Sequence, residues 1–158
     1  MVCLGNICRS PAAEGVLLEH LRRRGLSGDV EVDSAGTAGY HVGDPADPRM
    51  REAARVRGYE LPSVARAVHD GDFIDFDLIL AMDRENLADL NERRGDGTAT
   101  VRLLGEFVPG RDVDTAPDVP DPYYGGKDGF ETVLDLLESA MPALLDDLAA
   151  RAGRKEPL

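Results

Sequence analysis

Apolar residues along this chain follow two rhythms, and each predicts a different kind of element. A spacing of three and four marks helices. Ala13, Val16, Leu17 and Leu21 share one helical face after Pro11, which suits a first helical position, and Gly25 closes that helix. Asp47-Pro48 reads as an N-cap followed by a first-turn proline, opening a helix that runs to Gly58. Asp83 caps another, extending to about Glu92. The longest stripe, through Phe130, Val133, Leu134, Leu137, Met141, Leu144, Leu145 and Leu148, predicts a C-terminal helix in which Pro142 removes one hydrogen bond. Short runs mark strands. Residues 30–34 alternate, as a half-buried strand does, and residues 76–82 and 99–104 are apolar enough to be buried on both faces. A loop rich in Pro, Asp and Gly fills about 105–129. Helices alternating with buried strands imply an α/β fold, a parallel sheet with helices on both faces and a ligand site where strands lead into helices.

Composition narrows the field. At 158 residues the chain is read as one domain over 1–150, with a frayed polar tail over 151–158. No apolar run approaches the roughly 18 residues of a membrane span, and no secretory pattern opens the chain, so no membrane association and a cytoplasmic address are expected. A net charge of −12 argues against nucleic acid as a partner. It leaves room for a single phosphate, which one arginine and a patch of backbone N–H groups can hold. Two cysteines, Cys3 and Cys8, are too few for a disulfide scaffold, and with His20, His41 and His69 scattered they make a poor zinc set. The histidines read as surface or satisfied positions, Asp83 as an N-cap rather than a site residue, and the acidic runs at 70–77 and 112–121 as solvated loops.

Reactive chemistry is concentrated in Cys3-Leu4-Gly5-Asn6-Ile7-Cys8-Arg9-Ser10. Five residues between a thiol and a guanidinium let the backbone curl into a concavity at the positive end of the helix that follows. Arg9 can grip two phosphate oxygens, and the same field favours a thiolate at Cys3. Gly5 allows close backbone approach, Asn6 tolerates a left-handed conformation, and the Ser10 hydroxyl can donate to sulfur. An acid for the leaving group is offered by the late loop Pro117-Asp118-Val119-Pro120-Asp121-Pro122-Tyr123-Tyr124-Gly125-Gly126, where Asp121 is favoured over Asp118.

The 2–11 segment with Ala13-Glu14, then Asp33-Ser34-Ala35-Gly36, then Asp121-Pro122-Tyr123-Tyr124-Gly125, resembles the low-molecular-weight protein tyrosine phosphatases in order along nearly the whole chain. The resemblance implies a four-stranded parallel sheet, no metal and no cofactor, with Cys3 as nucleophile, Arg9 as phosphate clamp and Asp121 as general acid. Leu4, Gly5, Asn6, Ile7, Cys8 and Ser10 would line the phosphate. Asn6, Ser10 and Ser34 would shape the loop, Cys8 would pair reversibly with Cys3 under oxidation, and Tyr40, Tyr123 and Tyr124 would border the cleft. Phosphotyrosine proteins are the implied substrates, with a tyrosine kinase among the candidate partners. The family places a full strand directly before the nucleophile, and here only Met1 and Val2 stand there. The first strand is therefore expected to be largely missing, with Met1 internal to a strand whose start lies upstream.

Other readings are weaker. A cysteine protease would need a motif histidine, and the related arsenate reductases relay oxidation through later cysteines, absent after Cys8. The related protein-arginine phosphatases carry threonine where Ile7 stands, and a phosphate-binding pseudoenzyme with a regulatory role would follow from a real loss of the first strand.

Overall fold

The computed structural model describes residues 1–153. Four strands form one parallel sheet in the order β2-β1-β3-β4: β1 Val2–Cys3, β2 Ala35–Gly36, β3 Leu78–Ala81 and β4 Thr100–Leu103. The helices are α1 Arg9–Arg23, α2 Pro48–Val56, α3 Asp72–Asp75, α4 Arg84–Arg93 and α5 Lys127–Gly153, with a 3₁₀ turn at Leu104–Phe107. No helix among the described residues is long and apolar enough to cross a membrane.

The expected α/β sheet is present, and β1 spans two residues, as β2 does. β1 nevertheless lies at the centre. Val2 pairs with Ala35 on one side and Ala81 on the other, and Met82 N–H reaches Val2 O at 3.0 Å. Chain order reverses across β1, which makes its carboxyl end the topological switch point where α/β sheets bind ligands.

Strand alternation divides the interior. Cys3 and Leu80 face a cluster with Val16, Leu134 and Leu137, whereas Val2, Ile79 and Ala81 face one with Phe73, Leu90 and Ala99. The predicted stripe of α5 is buried from Phe130 to Leu145, and Pro142 lies inside that helix as expected. Asp47 and Asp83 cap α2 and α4 by accepting the N–H groups of Arg49 and Asn86, both at 2.8 Å.

Four expectations need correction. Helix α1 starts at Arg9, two residues before Pro11, because the first turn has no N–H partner to lose and tolerates a proline inside it. Residues 30–34 are not a strand: pairing starts at Ala35, whose N–H donates to Met1 O, and just before it the Met1 amine donates to Asp33 O, both at 3.0 Å. Residues 72–75, within the acidic run read as a solvated loop, form α3 with Asp72 and Phe73 buried. The tail expected from Arg151 is helical through Gly153, and its remainder lies outside the described residues.

Candidate active site

Cys3 ends β1 and Arg9 begins α1, so the five residues between them must turn sharply above the sheet. The turn is made by Asn6, whose φ of 57° is in the left-handed region where asparagine is among the few residues tolerated. Its side chain then ties the loop together. Nδ2 donates to Ser10 Oγ at 2.7 Å and to Ser34 Oγ at 2.9 Å, and Oδ1 accepts the Arg66 N–H at 3.0 Å. Ser34 in turn donates to Glu14 at 3.3 Å. Burial pushes the Glu14 carboxyl above its ordinary range, against the Ser34 hydrogen bond that favours ionisation. The loop carbonyls are also engaged: Thr37, Ala38 and Asp47 donate N–H groups to Cys3, Leu4 and Ile7 at 2.9, 3.0 and 2.8 Å. Gly36 leaves no room for a side chain, since a Cβ there would lie 2.7 Å from Leu4 O.

Two groups address the Cys3 sulfur. Ser10 Oγ lies 3.0 Å away and the Asn6 N–H donates at 3.3 Å. Ser10 Oγ accepts from Asn6 Nδ2, and its own proton has two acceptors within reach, sulfur at 3.0 Å and the more distant Ala35 O at 3.5 Å. A sulfur with two donors aimed at it can serve as a nucleophile. Cys8 is different. It is buried in the core, and that burial, with Asp47, Cys3 and Asp121 nearby, pushes its thiol up to about 12. Both thiols are free.

Arg9 is only 4% exposed. One end of its guanidinium is fixed, Nη1 donating to Asp83 Oδ2 at 2.5 Å and to Val119 O at 3.2 Å. Burial works against its charge, but the Asp83 hydrogen bond and the neighbouring anionic groups outweigh that and raise its pKa. Nη2 points toward the late loop, 3.8 Å from Asp121 Oδ2. Asp121 is exposed, and its Oδ1 accepts the Tyr123 N–H at 3.0 Å in a tight local turn. The structure thus joins Cys3, Asn6, Ser10 and Ser34 in one hydrogen-bond network and sets Arg9 and Asp121 beside each other as a separate pair. Leu4 and Ile7 lie on its outer surface, half-buried or exposed. Tyr123 packs edge-on against Tyr124 at 4.9 Å, and Tyr124 and Tyr40 are both open to solvent.

Sequence reasoning missed three contributors. Asp83 is an N-cap as expected, but its second carboxylate oxygen is the Arg9 partner. His41, taken as a bland histidine, lies against the loop: a Cβ on Gly5 would be 3.1 Å from its Cδ2, and its ring is 6.2 Å from that of Tyr123. Glu14 stood beside the motif with no role assigned. Only the N-cap pattern at Asp83 offered a local signal, and it is silent about a residue seventy-four positions away.

A family model described as low molecular weight phosphotyrosine protein phosphatase matches residues 1–154. Low molecular weight protein-tyrosine phosphatase A of Mycobacterium tuberculosis is 45% identical over 157 residues, covering 99% of this chain and 94% of the relative. Among solved structures, a protein tyrosine phosphatase from Entamoeba histolytica superposes with a TM-score of 0.88 at 43% identity, over 94% of each chain. A Drosophila arginine phosphatase reaches a TM-score of 0.84 at 32% identity, over 92% of this chain and 94% of its own.

Proposed function

The chain belongs to the low molecular weight phosphotyrosine protein phosphatase family, and from that premise we propose that it hydrolyses phosphotyrosine in proteins through a cysteinyl-phosphate intermediate. The observation that carries this reading is the convergence on one loop of a sulfur with two donors, a buried guanidinium and an exposed carboxylate.

The Cys3 thiolate attacks phosphorus while the bond to the tyrosyl oxygen breaks. The phosphoryl oxygens are met by the turn of residues 4–8, by the positive end of α1 and by Arg9. With Nη1 committed to Asp83 and Val119, the guanidinium keeps Nη2 and Nε for two phosphoryl oxygens, the planar two-point grip arginine is suited to. Asp121 in its protonated form donates to the leaving phenolate oxygen, and tyrosine departs neutral. The carboxylate it leaves behind then takes a proton from water as that water attacks the cysteinyl phosphate. Phosphate is released, and the Cys3 thiolate and the Asp121 acid are restored. Ser10 and the Asn6 N–H stabilise the sulfur when it attacks and again when it leaves. Leu4, Ile7, His41 and Tyr123 offer walls to an aromatic ring, with Tyr40 and Tyr124 farther out. Phosphotyrosine proteins are the substrates, and a tyrosine kinase is one candidate among them. Two free buried thiols suit a reducing compartment and support a cytoplasmic address.

One observation favours a second reading, the likeness to an arginine phosphatase. Ile7 speaks for tyrosine, because its side chain supplies an apolar wall and no hydroxyl to assist at a phosphoramidate. The test is turnover of phosphotyrosine and phosphoarginine peptides side by side. Preference for phosphotyrosine, abolished in Cys3→Ser, is expected. Preference for phosphoarginine reverses the assignment, and an inert wild-type protein that still binds phosphate makes it a phosphate-binding pseudoenzyme.

A further inference from the structure

Arg49, in the first turn of α2, has no place in the chemistry above, yet it is linked to both loops that perform it, directly to the acid loop and through Asp47 to the phosphate loop. Its guanidinium forms a fork with Asp47, Nε to Oδ1 at 3.1 Å and Nη2 to Oδ2 at 3.0 Å. Nη2 also donates to Tyr123 O at 3.1 Å, and the planar group lies over the rings of Tyr123 and Phe130, 5.4 and 4.9 Å from their centroids. Each partner leads to a different loop. Asp47, only 7% exposed, donates its own N–H to Ile7 O at 2.8 Å inside the phosphate loop. Tyr123 gives its N–H to Asp121 Oδ1 at 3.0 Å. A residue whose carbonyl is gripped by Arg49 thus orients the acid with its amide. Asp121 itself is exposed, and Arg9 is too far from it, at 3.8 Å, for a hydrogen bond.

We propose that Arg49 is the positioning residue that registers the acid loop on the phosphate loop and so sets proton delivery by Asp121 to the leaving oxygen. This rests on the reading of Asp121 as general acid. Arg49 does not touch the reacting atoms. It acts through Tyr123, and its effect should appear only where a proton must be delivered. A merely structural arginine would lower every rate alike.

The test is kcat/KM on aryl phosphates graded by leaving-group basicity, from 2,4-dinitrophenyl phosphate, whose phenolate departs unaided, to phenyl phosphate, whose oxygen needs the proton. Arg49→Met keeps the stem and removes the fork. It is expected to lower kcat/KM on phenyl phosphate by roughly 10–100-fold, the scale of a catalytic group displaced by about an ångström, and on the dinitrophenyl ester by less than about threefold. Arg49→Lys keeps the charge without the two-point grip and should fall between. Asp121→Asn should steepen the leaving-group dependence in the same way, and Arg49→Met added to it should cost nothing further on phenyl phosphate. Equal loss on both esters, or additive losses in the double variant, overturns the positioning role. If Asp121→Asn leaves the leaving-group dependence unchanged, Asp121 is not the acid, and the inference falls for that separate reason. Should Arg49→Met fail to fold, Arg49→Lys decides by the same ratio.

Discussion

The phosphate loop and the acid loop meet at Arg9 but are held in opposite ways. In the first, Asn6, Arg9 and Ser10 are all buried, each polar side chain has at least one partner, and three carbonyls are bound by neighbouring segments. In the second, Asp121, Tyr124, Gly125 and Gly126 are exposed, and the loop is fastened by contacts from outside it. Arg49 holds Tyr123, and Arg84 pairs with Asp118 at 2.7 Å and donates to Ala116 O at 2.9 Å. The difference suits the proposed tasks. A group that must meet a tetrahedral anion in fixed geometry benefits from a locked frame, whereas one that gives and takes a proton at the mouth must remain open to water.

The contrast can be broken most severely at Asp83. Asp83→Asn keeps the α4 cap but withdraws the counter-charge from a buried arginine, and a loss of about 2–4 kcal/mol is expected in urea unfolding, because an unpaired buried cation is costly. Asn6→Ala should come next. It strands Ser10, Ser34 and the Arg66 N–H and forces alanine into a left-handed φ, together about 2–3 kcal/mol. Asn6→Gly, free of the backbone penalty, should recover about 1 kcal/mol of that.

Glu14→Gln sharpens the comparison from beneath the phosphate loop. Burial raises the folded-state pKa of Glu14 above its ordinary 4.5, so the folded protein retains a proton that the unfolded chain has already lost. Stability from this group is complete below the unfolded value and is lost as pH rises through the folded one. Gln does not ionise, and the melting temperature of the variant should gain on wild type as pH rises from 4.5 upward. A constant difference across that range would contradict the burial argument. The smallest effect belongs to the open loop: Arg84→Ala removes an exposed ion pair and should cost about 1 kcal/mol or less in the same unfolding assay.

What the sequence reveals tracks the same division. Local signals carry the caps at Asp47 and Asp83, the buried stripe of α5, the core run of β3 and the thiol loop, because each depends on residues within a few positions of one another; β4 is a strand as expected but lies at the sheet edge, with Leu103 alone of its four residues buried. Residues 30–34 alternate like a strand and are not one, since a ladder needs a partner and alternation does not specify it. Asp83 and Arg49 are invisible as site residues for a related reason. Each looks complete in its helix turn, and its second contact lies 74 residues away, at Arg9 for Asp83 and at Tyr123 for Arg49.

The way Arg9 is fastened bears on what the protein does after reaction. A long cationic side chain ordinarily surrenders rotational freedom when it grips an anion, an entropic penalty of order 2 kcal/mol for an arginine. Here Asp83 and Val119 have already fixed Nη1, so that freedom is surrendered on folding. Inorganic phosphate, the product, meets the same ready grip as the substrate, and turnover should therefore be restrained by its own product as phosphate accumulates.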